Sequence, residues 1–461
     1  MKYSRAQVHS KARKIPDLKF EQQSLTSFSG LIVFQQLFTA IRFRDQLRRC
    51  FQHLKSGKVY GLTTVFVQLV IHILLGYREM RDAAYYAEDP LVKRVLGLNR
   101  VPDPATISRT LKDTDEASVQ SLHGLLRDMI FERLKKLLLS RITLDFDGSV
   151  QSTGRFAEGT AVGFNKKKKG QRSYYPLFCT IAQTGQVLDF LHRPGNVHDS
   201  NGAKAFILAC IQAVEQMAPG VQIEVRIDSA FFSDAIVTAL DKRRIEFSVS
   251  VPFERLPKLK NLIEARKRWW RHNRELSYFE IDWKPDSWDQ RFRFICVRTR
   301  VKKQRKEPVQ LDLFIPHEHG YEFKVLVTNK TITAPAIVAF HNGRGSQEGI
   351  FAELKSQCHM GHIPVRGLMG NQIYLLAGLF AHNLTRELQM RTEPQFRRTT
   401  AKRAALWAFE RLDSLRHKLI CRAGRITHPQ GRLTLTISGG RQVKERLLHC
   451  LETLKPTPQT G

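Results

Sequence analysis

The first third of the chain carries apolar residues at the spacing of helices. Through SGLIVFQQLFTAIRF and TTVFVQLVIHILLGYREM they recur every three or four positions, a period typical of helices packed against a core. In PDPATISRTLKDT, Pro104 predicts a further helix start, since proline is tolerated in the first helical turn. We therefore interpret residues 1–139 as a helical region.

At Arg141 the pattern changes to short alternating runs bounded by Gly, Asn and Pro, as in RITLDFDGSV, which indicates β-strands. A helical pattern then follows in AKAFILACIQAVEQM, a strand in QIEVRIDSAFF and a helix in SDAIVTALDKRR. Strands that alternate with helices predict an α/β domain with a mixed sheet. Residues 140–244 form the first part of this predicted core.

The remainder of the chain divides into three further parts. Residues 245–330 contain five β-like runs, separated by very basic stretches such as KRWWRHNR and VKKQRK. Residues 331–390 return to a helical pattern and would complete the core. Residues 391–461 contain one strand-like run, RLTLTISG, and a short basic helix.

The charge of the chain indicates a polyanionic partner. Lysine and arginine number 74 against 43 acidic residues, a net charge of +31, and each Lys or Arg placed on a phosphate releases a condensed counterion. A protein packed on RNA or a basic membrane-surface protein would share this charge, but 42% hydrophobic residues favour a folded nucleic-acid-binding protein. Arg109, at the Pro104 helix, is a candidate DNA contact, although an ordinary polar helix face explains it equally well.

Cysteine usage and hydropathy predict the compartment. The seven cysteines stand singly, without a Cys-x-x-Cys pair, which argues against a zinc ribbon or a disulfide framework. The most apolar run, Thr63 to Tyr77, contains Gln68 and His72 and is too short to span a bilayer. We expect a soluble, cytoplasmic protein without membrane attachment.

Acidic residues stand near the ends of two predicted strands. In RITLDFDG, Leu144 and Phe146 share one face of the strand, and Asp145 and Asp147 share the other. Asp228 follows another strand-like run, VRI, where it could also cap the next helix. Carboxylates on rigid elements are the ligands that Mg²⁺ takes in proteins.

A third acidic position lies in HNGRGSQEGIFAELK, residues 341–355. On a continuous helix, one stripe would contain the side chains of His341, Arg344, Glu348, Phe351 and Lys355. Glu353 would lie about 140° from this stripe. Arg344 and Glu348 could instead form only a surface ion pair of a few tenths of a kcal/mol.

Together these segments resemble the DDE transposases of bacterial insertion sequences, whose catalytic domain is RNase H-like. Arg344, Glu348 and Lys355 match the branch signature Tyr-x2-Arg-x3-Glu-x6-Lys, with His341 in place of the tyrosine. The resemblance covers roughly residues 60 to 390. Its other motifs are Asp147-Gly148-Ser149, Arg226-x-Asp228-Ser229-x-Phe231, Gly163-Phe164-Asn165, Tyr174-Tyr175-Pro176-Leu177 and Pro194-Gly195-Asn196-x-His198.

The resemblance implies a catalytic trio of Asp147, Asp228 and Glu348 that holds two Mg²⁺ or Mn²⁺ ions, with a β-rich insertion between Asp228 and Glu348. Strand alternation alone leaves Asp145 open as an alternative first ligand. By the same resemblance, Arg344 and Lys355 contact the DNA backbone, and His341 stands where a tyrosine contact is expected.

The resemblance also suggests DNA contacts outside the trio. Relatives that cut through a DNA hairpin stack a flipped base on an insertion tryptophan, so Trp283 and Trp288 are candidates, and core packing is the alternative for each. The lysines Lys166, Lys167, Lys168 and Lys169 are expected to contact flanking DNA or to form a solvated loop.

The sequence thus predicts a cut-and-paste DNA transposase in the bacterial cytoplasm. It would bind double-stranded DNA, namely the terminal inverted repeats and the target, and would pair two protomers across the two ends. The rival hypotheses are a domesticated, non-catalytic DNA-binding protein and a site-specific nuclease without strand transfer.

Overall fold

The computed structural model describes residues 17–54, 60–163, 165, 168–197, 201–301, 320–398 and 403–455, and positions 12 and 15. The predicted strand-like run at residues 311–320 lies almost entirely outside these ranges, as do Phe164, Lys166, Lys167 and His198. In the described part, a large mixed sheet lies between helices, which confirms the predicted α/β class.

The large sheet has nine strands in the described part of the chain. Across the sheet they are β10 (Trp270–Arg271), β11 (Leu276–Ile281), β12 (Arg293–Arg300), β13 (Tyr321–Thr328), β9 (Glu246–Val251), β8 (Gln222–Ile227), β2 (Arg141–Gly148), β6 (Leu177–Ile181) and β7 (Gln186–Leu191). Strands β2, β8 and β9 run parallel, and the remaining neighbours pair antiparallel.

The middle strands are buried on both faces, and the two faces differ in chemistry. Leu144 and Phe146 of β2 belong to an apolar cluster with helix α7 (Ala203–Met217), where Phe146 meets Phe206 edge to face at 6.0 Å. The opposite face carries buried charge, including Asp145 and Arg226. Because strand side chains alternate, the same short run supplies both the core and a polar layer.

Helices from the two ends of the chain share one hydrophobic core with β6 and β7. The N-terminal helices are α1 (Leu31–Ala40), α2 (Phe43–Phe51), α3 (Leu62–Leu75), α4 (Pro90–Leu96), α5 (Pro104–Lys112) and α6 (Glu116–Leu137). Asp103 caps α5 by accepting from the Thr106 amide at 2.7 Å. The predicted helical region therefore exists, but it is packed into the rest of the chain through this core.

The segments after α7 complete the fold. Their helices are α8 (Asp234–Lys242), α9 (Pro257–Glu264), α10 (Ala334–Asn342), α11 (Gly345–Gln357), α12 (Leu368–Thr392), α13 (Leu412–Leu415) and α14 (Arg441–Thr453). A three-stranded sheet joins both ends of the chain, with β1 (Leu25–Thr26) beside β14 (Gly424–Thr427) and β15 (Thr434–Ile437). The predicted C-terminal strand and helix are thus confirmed as β15 and α14.

The predicted β-rich insertion begins inside the core sheet. Strand β9, placed by sequence in the insertion, pairs in parallel with β8. Strand β13 then pairs with β9 and is followed outward by β12, β11 and β10. The insertion is therefore an extension of the same sheet, because its hydrogen bonds continue those of the core.

No helix in the described ranges is both long enough and apolar enough to cross a membrane. The longest, α12, is almost entirely buried and carries polar side chains such as Arg386 and Glu387.

Helix α11 is fixed to α12 by a buried ion pair between Glu353 and Arg386, which are 3% and 5% exposed. The other Glu353 carboxylate oxygen accepts from the Leu412 amide at 3.0 Å. Glu353 thus faces the core, whereas Glu348, on a different side of α11 as predicted, is exposed.

We expect Glu353→Ala to lower the free energy of unfolding by about 3–5 kcal/mol, because the Arg386 charge would stay buried without its partner. Urea unfolding of the purified protein measures this. The matched control is Glu445→Ala, which removes an exposed pair with Arg441 and should cost less than about 1 kcal/mol. Equal losses in the two variants would contradict the assignment.

Candidate active site

Asp147 and Asp228 meet where β2 and β8 end. The two strands are parallel and pair Phe146 with Ile227, so the next residue of each strand is its aspartate. The Asp147 carboxylate accepts from the Gly148 amide at 2.8 Å, and Asp228 accepts from the Ser229 amide at 2.7 Å. Asp228 therefore also caps the short 3₁₀ helix Ser229–Phe231, the alternative that its sequence position left open.

The guanidinium of Arg344 lies between these two carboxylates. One nitrogen donates to Asp147 Oδ2 at 3.1 Å, and the other lies 3.8 Å from Asp228 Oδ1. The Arg344 side chain is 13% exposed, against 25% for Asp147 and 40% for Asp228. The predicted phosphate contact is thus an ion-pair partner of two of the predicted metal ligands.

Burial raises the pKa of Asp147 to about 6, with the Arg344 charge opposing the rise and the Asp228 charge adding to it. A buried carboxylate beside a second one is costly to ionise. A cation placed between the two lowers that cost, which is the position that Arg344 takes.

Asp145, the alternative first ligand, occupies a different environment. It is 1% exposed and forms two parallel hydrogen bonds of 2.6 Å with Arg226, its neighbour across the strand pair. Arg226 also donates to the Phe340 carbonyl at 2.9 Å. Both oxygens of Asp145 are therefore engaged in fixing β2 to β8, while those of Asp147 accept from the Gly148 amide and from Arg344.

Glu348 lies in the first turn of α11 and is exposed. The preceding residue, Gln347, is buried and donates to the Asp145 carbonyl at 2.9 Å, which holds this turn against β2. Helix α11 begins after Arg344, so Arg344 and Glu348 lie one turn apart at its N-terminal end. Its exposed position leaves the Glu348 carboxylate available to a ligand.

Lys324 of β13 joins this group, although no motif marked it in the sequence. Crowding by protein atoms and the Arg344 charge lower the pKa of Lys324, while Asp228 and Glu348 act in the opposite direction. The negative charges of Asp228 and Glu348 therefore act on the Lys324 ammonium group. Only the sheet pairing, which sets Lys324 opposite Val297 in β12, brings this residue to the site.

His341 corrects the sequence interpretation. It belongs to α10, not to the helix of Glu348, since α10 ends at Asn342 and α11 begins at Gly345. The ring is 1% exposed, and its two nitrogens lie 2.9 Å from the Ser248 and Ser250 hydroxyls. Burial holds the pKa of His341 well below its ordinary value. His341 is a core residue and is unavailable to DNA.

The two candidate tryptophans also face protein. Trp288 is 4% exposed and stacks on Phe232 at 4.9 Å, so its predicted role as a base platform is wrong. Trp283 is half-buried and meets Phe294 edge to face at 5.1 Å. Both indole rings pack around Phe294 in the large core cluster.

The tryptophan that the structure exposes is Trp270, on edge strand β10, at 69%. Its neighbour Trp269 packs against Phe279 at 4.6 Å and beneath the Arg298 guanidinium at 4.5 Å. Trp270 lies in the basic segment KRWWR. In the sequence, only the basic composition of this segment indicated that Trp270 could contact DNA.

The other predicted DNA contacts lie on the surface. Arg109 on α5 and Lys355 on α11 are exposed, as are Lys168 and Lys169. Their roles remain predictions.

The donor set suits a hard divalent cation, because Asp147, Asp228 and Glu348 offer only oxygen ligands. The raised pKa of Asp147 also indicates a place where added positive charge is favourable. In the described ranges, however, no three His, Cys, Asp or Glu side chains are grouped closely enough to hold a metal ion. Asp147 and Asp228 therefore fit such an ion as a pair, and Glu348 does not complete a three-ligand site in this conformation.

The model of the family described as "Transposase DDE domain group 1" matches residues 8–459, nearly the whole chain. The chain belongs to the DDE transposases. The transposase has the mixed sheet that the resemblance implied, and its family acts on DNA.

A search of curated proteins found no match to the transposase. A piggyBac transposase synaptic complex with hairpin DNA is 12% identical, with a TM-score of 0.39, over 94% of this chain and 87% of that one. Two Mos1 structures are similar at lower scores. The Mos1 paired-end complex with the left transposon end is 11% identical, with a TM-score of 0.18, over 42% of this chain and 60% of that one. The Mos1 mariner paired-end complex with Mn is 10% identical, with a TM-score of 0.17, over 52% of this chain and 72% of that one. Similarities this low support no inference about this transposase.

We expect Asp147→Asn to stabilise the metal-free transposase above about pH 6, by up to about 3 kcal/mol. The folded pKa of Asp147 is raised from 3.8 to about 6, so ionising Asp147 costs stability. That cost is full above about pH 6 and vanishes below about pH 4. Asparagine removes it, so the advantage of the variant should shrink as the pH falls.

Urea unfolding in EDTA at pH 8 and at pH 4.5 measures the difference. Asp113→Asn, at an exposed position, is the control and should show no such pH dependence. An Asp147→Asn protein less stable than wild type at pH 8 would contradict the prediction.

Proposed function

We propose that this transposase binds the terminal inverted repeats of an insertion sequence and catalyses metal-dependent strand cleavage and strand transfer. The observation that carries the proposal is the meeting of Asp147 and Asp228 at adjacent parallel strand ends, with Glu348 one helical turn beyond Arg344. The proposed catalytic residues are these three carboxylates, and Asp145 serves as a structural ion-pair partner.

Asp147, Asp228 and Glu348 are the residues that would hold Mg²⁺ or Mn²⁺. When bound, two such ions activate the attacking oxygen and stabilise the leaving oxygen in phosphoryl transfer. In the absence of these ions, Arg344 balances the charge of Asp147 and Asp228. Glu348 would have to approach this pair to complete the ligand set, and its exposed position leaves it free to do so.

Cations around the carboxylates would position the phosphodiester. Arg344 offers a planar group that can donate two parallel hydrogen bonds to one phosphate. Lys324 and the exposed Lys355 would contact backbone phosphates on either side of it. These residues bind and orient the DNA, while the carboxylates carry the chemistry.

DNA contacts away from the cut would use exposed cations and one exposed aromatic ring. Arg109 on α5 is our candidate for contacting the inverted repeat, and Lys168 and Lys169 for flanking DNA. Trp270 replaces Trp283 and Trp288 as the candidate for base stacking, because Trp270 is exposed whereas Trp283 is half-buried and Trp288 is buried. Pairing of two protomers across two DNA ends belongs to the same proposal.

Asp228→Asn and Glu348→Gln should each lower cleavage of a DNA duplex carrying the element's end by at least about 100-fold, since each replaces a negatively charged carboxylate ligand with a neutral amide. Binding to the same duplex should change only a few-fold. The assay uses purified transposase with Mg²⁺ and then Mn²⁺, with Asp113→Asn as control.

Cleavage by both variants at the wild-type rate would overturn the catalytic assignment. Wild-type protein that binds the ends but never cleaves them would instead favour the non-catalytic hypothesis. Cleavage without joining of the 3′ ends to a target plasmid would favour a nuclease.

Trp270→Ala should weaken binding to DNA with an unpaired base by about 1–3 kcal/mol, the contribution of one stacking contact, and leave the melting temperature unchanged. Trp288→Ala should instead destabilise the fold by about 3–5 kcal/mol, because its ring lies in the core. Fluorescence anisotropy and thermal unfolding separate the two effects. A Trp270→Ala protein with unchanged affinity would exclude the stacking role.

A further inference from the structure

A small sheet extends from the catalytic end of the β2–β6 hairpin. It consists of β3 (Gln151–Thr153), β5 (Arg172–Tyr174) and β4 (Ala161–Val162), and we call it, with its described loop residues, the arm (residues 151–163, 165 and 168–174). In the hairpin, Gly148 pairs with Leu177, and in the arm Gln151 pairs with Tyr174. The register is the same in both, so the arm continues the hairpin past Asp147.

The length of the arm follows from strand geometry. Thr153 lies six residues beyond Asp147, and an extended strand rises about 3.3 Å per residue. The far end of β3 is therefore up to about 20 Å from the catalytic aspartate along the strand. That distance corresponds to about six base pairs of B-DNA, whose turn of about 10 base pairs spans about 34 Å.

Close backbone contacts fix the base of the arm. A Cβ atom on Gly148 would lie 2.6 Å from the Tyr175 ring, and one on Gly163 would lie 2.0 Å from the Gly195 carbonyl oxygen. Only glycine permits these approaches. Glycines from two of the sequence motifs thus allow close packing at the base of the arm, Gly148 on Tyr175 and Gly163 on the segment that follows β7.

Hydrogen bonds also attach the arm to the start of α12. The Glu158 amide donates to the Arg366 carbonyl at 2.8 Å, and the Glu158 carboxylate accepts from the Leu368 amide at 3.0 Å. Asn371 donates to the Tyr174 hydroxyl at 3.3 Å. The arm is therefore a fixed projection, because both the sheet and α12 hold it.

The exposed surface of the arm combines one aromatic ring with positive charge. Phe156 is 65% exposed, and the Arg172 guanidinium lies 5.3 Å from its ring centroid. Arg155, Lys168 and Lys169 of the arm are also exposed. With Arg172, the arm thus contains four basic residues and one acidic residue, Glu158, whose carboxylate accepts from the Leu368 amide. An exposed ring among cations suits a nucleobase and its phosphates.

We propose that the arm is a second DNA-binding site, in which Phe156 inserts at a base step about six base pairs from the cleaved bond. The cations around it contact phosphates on both sides of that step. This inference rests on the proposed function, because it takes the cleaved bond to lie at Asp147. Beyond the proposed function, the inference adds a contact between Phe156 and the DNA. This contact would set the distance between the cleaved bond and the base step that Phe156 unstacks.

The test uses full-length transposase and duplexes of its element's end that carry the fluorescent base 2-aminopurine at single positions, two to ten base pairs from the cut. Unstacking raises the fluorescence of this base. Wild-type protein should raise it most at about position six, and Phe156→Ala should abolish that rise and lower affinity by about 5- to 100-fold. Phe396→Ala, also 65% exposed, is the matched control and should behave as wild type.

The cations are tested by the salt dependence of binding. Lys168→Gln combined with Lys169→Gln should lower the slope of log K against log salt by about 2, since each lost phosphate contact removes about 0.9. Lys136→Gln combined with Lys444→Gln changes two other exposed lysines and should leave the slope unchanged.

The outcomes separate this inference from the proposed function. If Phe156→Ala keeps the wild-type fluorescence profile and affinity while Asp228→Asn still fails to cleave, the arm site is refuted and the catalytic proposal stands. A change in oligomeric state with unchanged DNA binding would assign Phe156 to a protein interface and also refute the site. If Asp228→Asn cleaves normally, the proposed function itself fails.

Discussion

The buried ion pair between Asp145 and Arg226 is the constraint on which the candidate site depends. The two side chains lie opposite each other on parallel strands and are almost fully buried, so each is stable only beside the other. Their pairing fixes the register of β2 against β8. Two residues farther along the chain in each case, Asp147 follows Asp145 and Asp228 follows Arg226, and this register makes the two aspartates neighbours at the strand ends.

The same layer ties α11 to the sheet. Gln347 donates to the carbonyl of Asp145, and Arg226 donates to the carbonyl of Phe340 in α10. The break between α10 and α11 thus lies directly over the buried pair. Arg344 follows this break and reaches both aspartates, and Glu348 lies one turn beyond it. A short polar layer therefore sets the positions of all four charged residues of the site.

Charge around the site is balanced locally and positive at longer range. Arg344 lies between Asp147 and Asp228, whereas the arm and strand β10 carry exposed cations. Because the strands of the insertion continue the core sheet, the basic surface of β10 is linked to the site through hydrogen-bonded strands. Such a surface attracts DNA over distances that single contacts cannot reach.

Many helices and strands of this transposase, and its family, could be predicted from local patterns of residues. Periodicity predicted α7, β8, α8 and the C-terminal strand and helix, because each is an apolar pattern of adequate length with clear ends. It also separated Glu353 from Glu348, since helical angle is a local property. The family signature singled out Asp147, Asp228 and Glu348, which strand alternation alone could not do for Asp147 and Asp145.

Which of these residues face one another became clear only from the fold. His341 stands at the tyrosine position of the signature but is enclosed by serines of β9, because the chain breaks between α10 and α11 at Gly343. Trp288 is buried because it packs against aromatic residues of the core, and Trp270 is exposed because it lies on the edge strand β10. Contacts between distant segments of the chain set both surroundings. Burial and contact are properties of such pairings, and no local pattern of residues encodes them.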